Sequence, residues 1–199
     1  MTLQLDDRVK LIGVPMGVSG FSSNAIKTMD PTRSFSNIVL ETVSFDDVII
    51  IGEGTLQQFD DVVKTSFVGL AAECVGGAQA CLDMTLEYTM QRVQFGRPIA
   101  SFQAIKHRSA DMFIQIEAAR SAVYAAALAE PSEKVKLALI AKAYASDAFF
   151  DVAGHAIQLH GGIGFTWEYP LHYFFKRARA NRAVFGASSR DYARLADVI

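Results

Sequence analysis

From about Gly54 almost to the end of the chain, apolar residues recur at the three- and four-residue spacing of amphipathic helices. The pattern breaks at only four places: Gly96-Arg97-Pro98, Glu130-Pro131-Ser132, Gly161-Gly162 and Gly186. Glycine and proline are strong helix stops, so these breaks cut the run into separate segments. The segments predict helices over Leu56–Gln91, Ser101–Ala129, Glu133–Leu159 and Pro170–Phe185, and a short fifth that begins near Ser189. Long helices joined by short breaks pack as an antiparallel bundle. Ser188 and Asp191 have the spacing of a capping box for the fifth helix, each side chain satisfying the other residue's free backbone N–H.

Residues 1–53 read differently. Val9–Pro15, Ser36–Leu40 and Val48–Ile51 are short β-branched runs bounded by Gly, Pro, Asn and Asp, and are expected as strands. Three such strands cannot cover a sheet face unaided. Residues 1–53 are therefore expected to be the C-terminal part of a β-domain, incomplete here, and residues 54–199 a helical domain. On this reading the chain is a fragment, a truncated product or one half of a split subunit.

Hydrophobic residues make up 51% of the 199 residues, yet no uninterrupted apolar run reaches the ~18 of a membrane span. The apolar excess fills a helical core or is covered by other subunits. A net charge of -2 argues against nucleic acid as the main partner. Lys176, Arg177, Arg179, Arg182, Arg190 and Arg194 nevertheless gather near the end against only Asp191 and Asp197. Such a cluster is a solvated face or a site for the phosphates of a nucleotide or CoA. Cys74 and Cys81, seven apart on one helix, stand about 10 Å apart, too far to bridge. They read as buried thiols, and with the polar Met1–Arg8 stretch they point to a cytoplasmic protein. Asp147 and Asp151 share a helix face and are expected to meet solvent or a lysine; His155 and His160 are badly spaced for a metal, and none is expected.

Two motifs carry more than periodicity. The first is Gln91-Arg92-Val93-Gln94-Phe95-Gly96-Arg97-Pro98-Ile99, followed by Phe102-Gln103-Ala104-Ile105-Lys106-His107. The second is Ala156-Ile157-Gln158-Leu159-His160-Gly161-Gly162-Ile163-Gly164-Phe165-Thr166, followed by Glu168-Tyr169-Pro170. In order and spacing they closely resemble the C-terminal bundle of the acyl-CoA dehydrogenase family. The resemblance implies a mainly α fold: the family's C-terminal four-helix bundle, preceded by the end of its β-barrel domain. It also implies dimers or tetramers, with FAD bound across a subunit interface, an acyl-CoA thioester as substrate, and a possible electron-transfer flavoprotein as acceptor.

Carried over residue by residue, the resemblance makes Arg92 the arginine that reaches the FAD pyrophosphate of the neighbouring subunit. Phe95 would pack beside the flavin and Gln103 would hydrogen-bond the cofactor. Gln158, Gly161 and Gly162 match a turn against the adenosine-diphosphate end, where bare backbone can approach phosphate closely. Read without the family, Arg92 is a helix C-cap, Phe95 a core ring and the glycine pair a helix stop.

The chemistry implied is removal of an α-proton from the thioester while hydride leaves the β-carbon for the flavin. A weakly acidic C–H needs a positioned base and a polarised carbonyl. Most members carry that base as a glutamate in a Tyr-Glu-Gly-Thr run; here the run is Phe185-Gly186-Ala187-Ser188, with Gly186 at the base position. A second group carries it on the first bundle helix, where Ser66 stands, beside Phe67 in place of an arginine that meets CoA. Gly186 keeps its backbone N–H to polarise the thioester, Phe185 would line the substrate, and Ser188 keeps a hydroxyl for the flavin. Glu73 is a weak substitute base, two turns from Ser66, and is expected as a paired structural carboxylate.

The expectation is thus a dehydrogenase-type subunit that contributes FAD binding and assembly but no catalytic base. It resembles the base-lacking partner of heteromeric actinobacterial members, which admit large groups such as steroid side chains. The alternatives are a non-catalytic pseudoenzyme or gene fragment of the same fold, and different flavin chemistry on the same scaffold.

Overall fold

The computed structural model describes residues 2–5 and 8–196, with side chains from Arg8 onward. Met1, Asp6 and Asp7 of the polar leader, and Asp197 of the basic tail, lie outside the described residues. Two compact units divide the chain, Met1–Val63 and Lys64–Ile199.

The first unit holds β1 (Thr2–Leu5), β2 (Arg8–Gly13), β3 (Phe21–Ile26), β4 (Phe35–Leu40) and β5 (Ile49–Thr55). One antiparallel sheet has the order β1-β2-β5, and β3 pairs with β4 in a separate hairpin. Three of these strands lie where β-branched runs predict them. The structure adds β1 and β3, whose Thr-Leu-Gln-Leu and Phe-Ser-Ser-Asn-Ala-Ile runs lack the β-branched density that marks strands. Pairing with a neighbour, not propensity, makes them strands. Ile38, Ile49 and Ile51 stay about 60% exposed, so the sheets leave large apolar side chains uncovered.

Helix α1 (Leu56–Gln91) starts directly after β5. Its first turn is closed by Thr55 and Gln58. The Gln58 N–H donates to the Thr55 hydroxyl at 3.1 Å, and the Thr55 N–H donates to Gln58 Oε1 at 2.9 Å. This reciprocal pair is a true capping box. The one expected at Ser188 and Asp191 does not form, because a single other helix holds both side chains: Ser188 donates to Asp147 and Asp191 accepts from Lys142.

The second unit contains the rest of α1, with α2 (Gln103–Ala127), α3 (Pro131–His160), α4 (Leu171–Ala183) and α5 (Ser188–Ala196). A short hairpin, β6 (Val93–Gln94) and β7 (Arg97–Pro98), joins α1 to α2. The chain is mainly α, as periodicity predicts. Pro131 opens α3, where its missing N–H costs nothing. Ile99–Ser101 forms a separate 3-10 turn, so α2 begins two residues later than expected.

The core is built from Cys74, Ala78, Met112, Ile116, Phe149 and Val152, with small residues where helices approach closely. Gly77 is such a point: a Cβ there would lie 2.4 Å from Phe149 Cζ, so α1 can reach the buried ring only because residue 77 has no side chain. Both cysteines are buried thiols, not joined to each other. No helix among the described residues is long and apolar enough to cross a membrane.

Burial pushes the Cys81 thiol up from its ordinary 9.0 to about 12. In the unfolded chain the thiol ionises near pH 9, while in the fold it stays protonated. The folded state then holds more protons, so stability falls as pH rises above 9, by up to about 1.4 kcal/mol per unit toward 12. Urea midpoints measured at pH 8, 9 and 10 are expected to decline over the last step, and Cys81→Ala to lessen that decline. An equal decline in the variant would contradict this origin.

Candidate functional site

The β6–β7 hairpin has a two-residue tip, Phe95-Gly96, with positive φ at both (54° and 77°). Two positive φ values define the turn type that matches strand twist, and glycine adopts it freely. Phenylalanine does not, and Phe95 also stands 91% exposed. Backbone strain of this kind clusters at active sites and ligand clamps. Behind it, Phe102 meets the ring edge-on at 6.0 Å, and the Arg97 guanidinium lies 4.2 Å from the Phe102 centroid.

Where this hairpin leaves α1, a cleft of about 470 Å³ opens between the end of α1 and the end of α3. Arg92, Gln158, Gly161 and Gly162 all line it, with Tyr88, Gln94 and His160. Two motifs separated by some sixty-five residues of sequence are thus brought to one place. Gly161 ends α3 at φ 62°, ψ -138°, a conformation open to glycine alone. A Cβ on Gly161 or Gly162 would meet nothing within 4 Å, so the space above both is open to a ligand. Gly164 differs: its Cβ would lie 2.6 Å from the Ile157 carbonyl, a packing constraint. Phe95 and Gln103, the latter the first residue of α2, do not line the cleft.

A second corner lies at the α4–α5 turn. Phe67 of α1 packs on Phe185 with centroids 5.2 Å apart, which brings the neighbours of Ser66 and Gly186 together. No carboxylate occupies either position. Gly186 has φ 111°, and its two backbone groups are engaged: the N–H donates to the Ala183 carbonyl at 3.1 Å, and the carbonyl accepts from Lys142 Nζ at 2.5 Å. An N–H so directed must share or release that bond before it can polarise a thioester.

Lys142 is fully buried, as is Asp191, whose Oδ2 accepts from it at 2.5 Å. The Lys142 ammonium also stands 5.8 Å from the Phe67 centroid. Arg194 lies 3.7 Å from the other Asp191 oxygen, too long for a hydrogen bond. Neither Lys142 nor its partnership is legible as a site in sequence, although a lysine in the apolar stretch Leu137–Ala145 is a signal for a buried cation.

Other side chains are committed within the fold. Glu73 accepts from Arg177 Nη1 at 2.8 Å and from Asn181 at 3.2 Å, the paired structural carboxylate expected. Asp147 stays partly open to solvent, and its partners are a serine and an arginine where the helix face suggests a lysine. It accepts from Ser188 Oγ at 2.7 Å and from Arg182 Nε at 2.9 Å, tying α3 to α4 and α5. Ser188 retains only its lone pairs for any further partner. The basic tail is correspondingly divided among internal partners: Arg177 and Arg182 hold carboxylates, and Lys176 lies 4.6 Å from the Trp167 ring.

The model for the acyl-CoA dehydrogenase C-terminal domain matches residues 65–199. An acyl-CoA dehydrogenase named IpdE2 from Mycobacterium tuberculosis is 42% identical over 161 residues, covering 81% of this chain and 46% of that protein. The solved butyryl-CoA dehydrogenase of Megasphaera elsdenii superposes with TM-score 0.86 at 30% identity, over 96% of this chain and 52% of that one. A glycine-to-alanine variant of the Tcur3481-Tcur3483 steroid ACAD superposes with TM-score 0.79 at 32% identity, over 95% and 51%. The chain belongs to the acyl-CoA dehydrogenase family, a family of oxidoreductases that are in general FAD-dependent. It spans about half the length of the relatives it matches.

Proposed function

We propose that this chain holds the adenosine-diphosphate end of an FAD shared with a neighbouring dehydrogenase subunit, and supplies no base for the α-proton. One juxtaposition carries the reading. Arg92, Gln158, Gly161 and Gly162 converge on one cleft, whose lining includes none of Ser66, Phe185, Gly186 or Ser188. A cofactor gripped in the cleft is therefore free to present its reacting end elsewhere, in the neighbour.

The donor set suits the group. Arg92 offers a guanidinium that grips two phosphate oxygens at once. The glycine pair leaves room for phosphate to approach backbone, and Gln158 gives an amide for ribose or base. Phe95, held out on its strained tip, would reach the isoalloxazine side, with Gln103 behind it. When bound, FAD supplies the hydride acceptor. This chain's residues hold and orient; Phe185 and Gly186 would meet the acyl chain but cannot take its proton. On this reading residues 54–199 form the cofactor and assembly domain and residues 1–53 the end of the β-domain. The partner carries the glutamate, and the substrate is an acyl-CoA thioester, possible in steroid-sized form by likeness to the steroid ACAD.

Co-expression with neighbouring dehydrogenase-like genes tests this. A co-purifying assembly with visible flavin absorbance is the expected result. A folded assembly that is colourless even after incubation with FAD would overturn it and favour a purely structural role.

A further inference from the structure

One carboxylate is enough to neutralise a buried lysine, yet the Lys142 ammonium reaches groups on three other elements. Nζ donates to Asp191 Oδ2 of α5 and to the Gly186 carbonyl in the α4–α5 turn, both at 2.5 Å. It also stands 5.8 Å from the centroid of Phe67 on α1, and Phe67 in turn packs on Phe185 at 5.2 Å. The same cation therefore meets the backbone of the turn and the ring that supports Phe185. The turn needs such a hold. Phe185 and Gly186 take consecutive positive φ values, 60° and 111°. The first is costly for a residue with a side chain and persists only where its surroundings over-determine it. The Gly186 N–H is engaged by Ala183 at 3.1 Å and its carbonyl by Lys142, so neither adjoining peptide can rotate without losing a bond.

A buried ion pair is a weak source of stability beside packed apolar residues of the same size. Position accounts for this one better than stability does. We infer that Lys142 is a positioning residue for the Phe185-Gly186 turn, fixing the Gly186 backbone and the Phe67–Phe185 pair in one arrangement before an acyl chain arrives. This rests on the reading above, in which Phe185 and Gly186 meet that chain. A face set in advance spares the ligand the cost of ordering it, so the hold is worth affinity. It adds nothing to proton removal, which belongs to the other subunit.

Lys142→Met with Asp191→Leu releases the turn and leaves no charge buried. Amide exchange at Gly186, followed by NMR on the chain alone, is expected to quicken about 10-fold, the worth of one charge-assisted hydrogen bond. Amides in the interior of α1 should keep their rates. The assembly with the proposed dehydrogenase subunit would then be given butyryl-CoA, 3-phenylpropionyl-CoA and a steroid-side-chain CoA thioester. KM should rise about 3- to 10-fold with kcat held, a loss of uniform binding. Unchanged exchange at Gly186 would overturn the hold, and an unchanged KM would overturn the positioning. Phe185→Ala separates that second failure from failure of the reading beneath it. If this variant raises KM, the acyl reading stands and only Lys142 is misassigned; if it too leaves KM unchanged, both fall. No turnover of any of the three thioesters also overturns both. Should the double variant fail to fold, the Lys142 ammonium of the unmodified chain is the second readout. A slowly exchanging ¹⁵N resonance close to the Phe67 ring protons is expected, and rapid exchange with water contradicts the hold.

Discussion

Arg92→Ala is expected to lower the affinity for ADP and for FAD about 10- to 100-fold. A charge-assisted hydrogen bond contributes about 1.5–3 kcal/mol, and each 1.4 kcal/mol is tenfold. The side chain follows directly on the last turn of α1, and its backbone N–H already donates to Tyr88 at 2.8 Å while its carbonyl accepts from Ile99 at 2.8 Å. Those bonds survive the substitution, so the hairpin and the cleft should persist. A guanidinium that merely caps the helix would contribute about 0.3–1 kcal/mol to stability and nothing to nucleotide binding. The two roles therefore separate in one pair of measurements: ADP titration and urea denaturation of the same variant. A stable variant with lost affinity supports phosphate binding. A destabilised variant with intact affinity contradicts it.

Asp191→Ala is expected to destabilise the helical unit by about 3–5 kcal/mol, the usual cost of stranding one member of a buried ion pair. Lys142 would keep only the Gly186 carbonyl as a partner, and Arg194 would lose its nearby carboxylate. Replacing both members together, Lys142→Met with Asp191→Leu, should recover most of the loss, because no charge is left buried. Urea denaturation of the three proteins decides it. A single variant that loses less than about 1 kcal/mol would mean that water reaches Lys142 and that the pair is not closed off. The pair also anchors the turn at Gly186, and with it the Phe67–Phe185 contact. A glutamate placed at 186 would inherit φ 111° with its Cβ 3.4 Å from Arg190, so the turn is shaped for glycine and not simply shortened by a missing side chain.

Much of the bundle is legible in sequence because its signals are local. Helical periodicity and Gly or Pro stops place α1 to α4 within a few residues. The two motifs that meet at the cleft are likewise legible, since each carries its own spacing. What fails is tertiary. Thr55 and Gln58 show the capping-box pattern as clearly as Ser188 and Asp191, but only the structure shows that α3 claims the second pair. β3 is a strand through its partner β4 and not through its Ser-Ser-Asn composition. His160 reads as a poor metal ligand because its spacing from His155 is judged along one helix. Its environment comes from Tyr88 and Tyr169, far off in sequence. The basic tail reads as a solvated face or a phosphate site, and sequence does not show that Glu73 and Asp147 engage Arg177 and Arg182 of it.

The most direct measurement is α-proton exchange in D₂O. The purified chain with FAD, and the same chain assembled with the proposed dehydrogenase subunit, would be given short-chain, aryl and steroid-sized acyl-CoA thioesters. Deuterium at the α-carbon should appear only with the assembly, because neither Gly186 nor Ser66 can remove that proton. Exchange by the chain alone would mean that some side chain in it is the base.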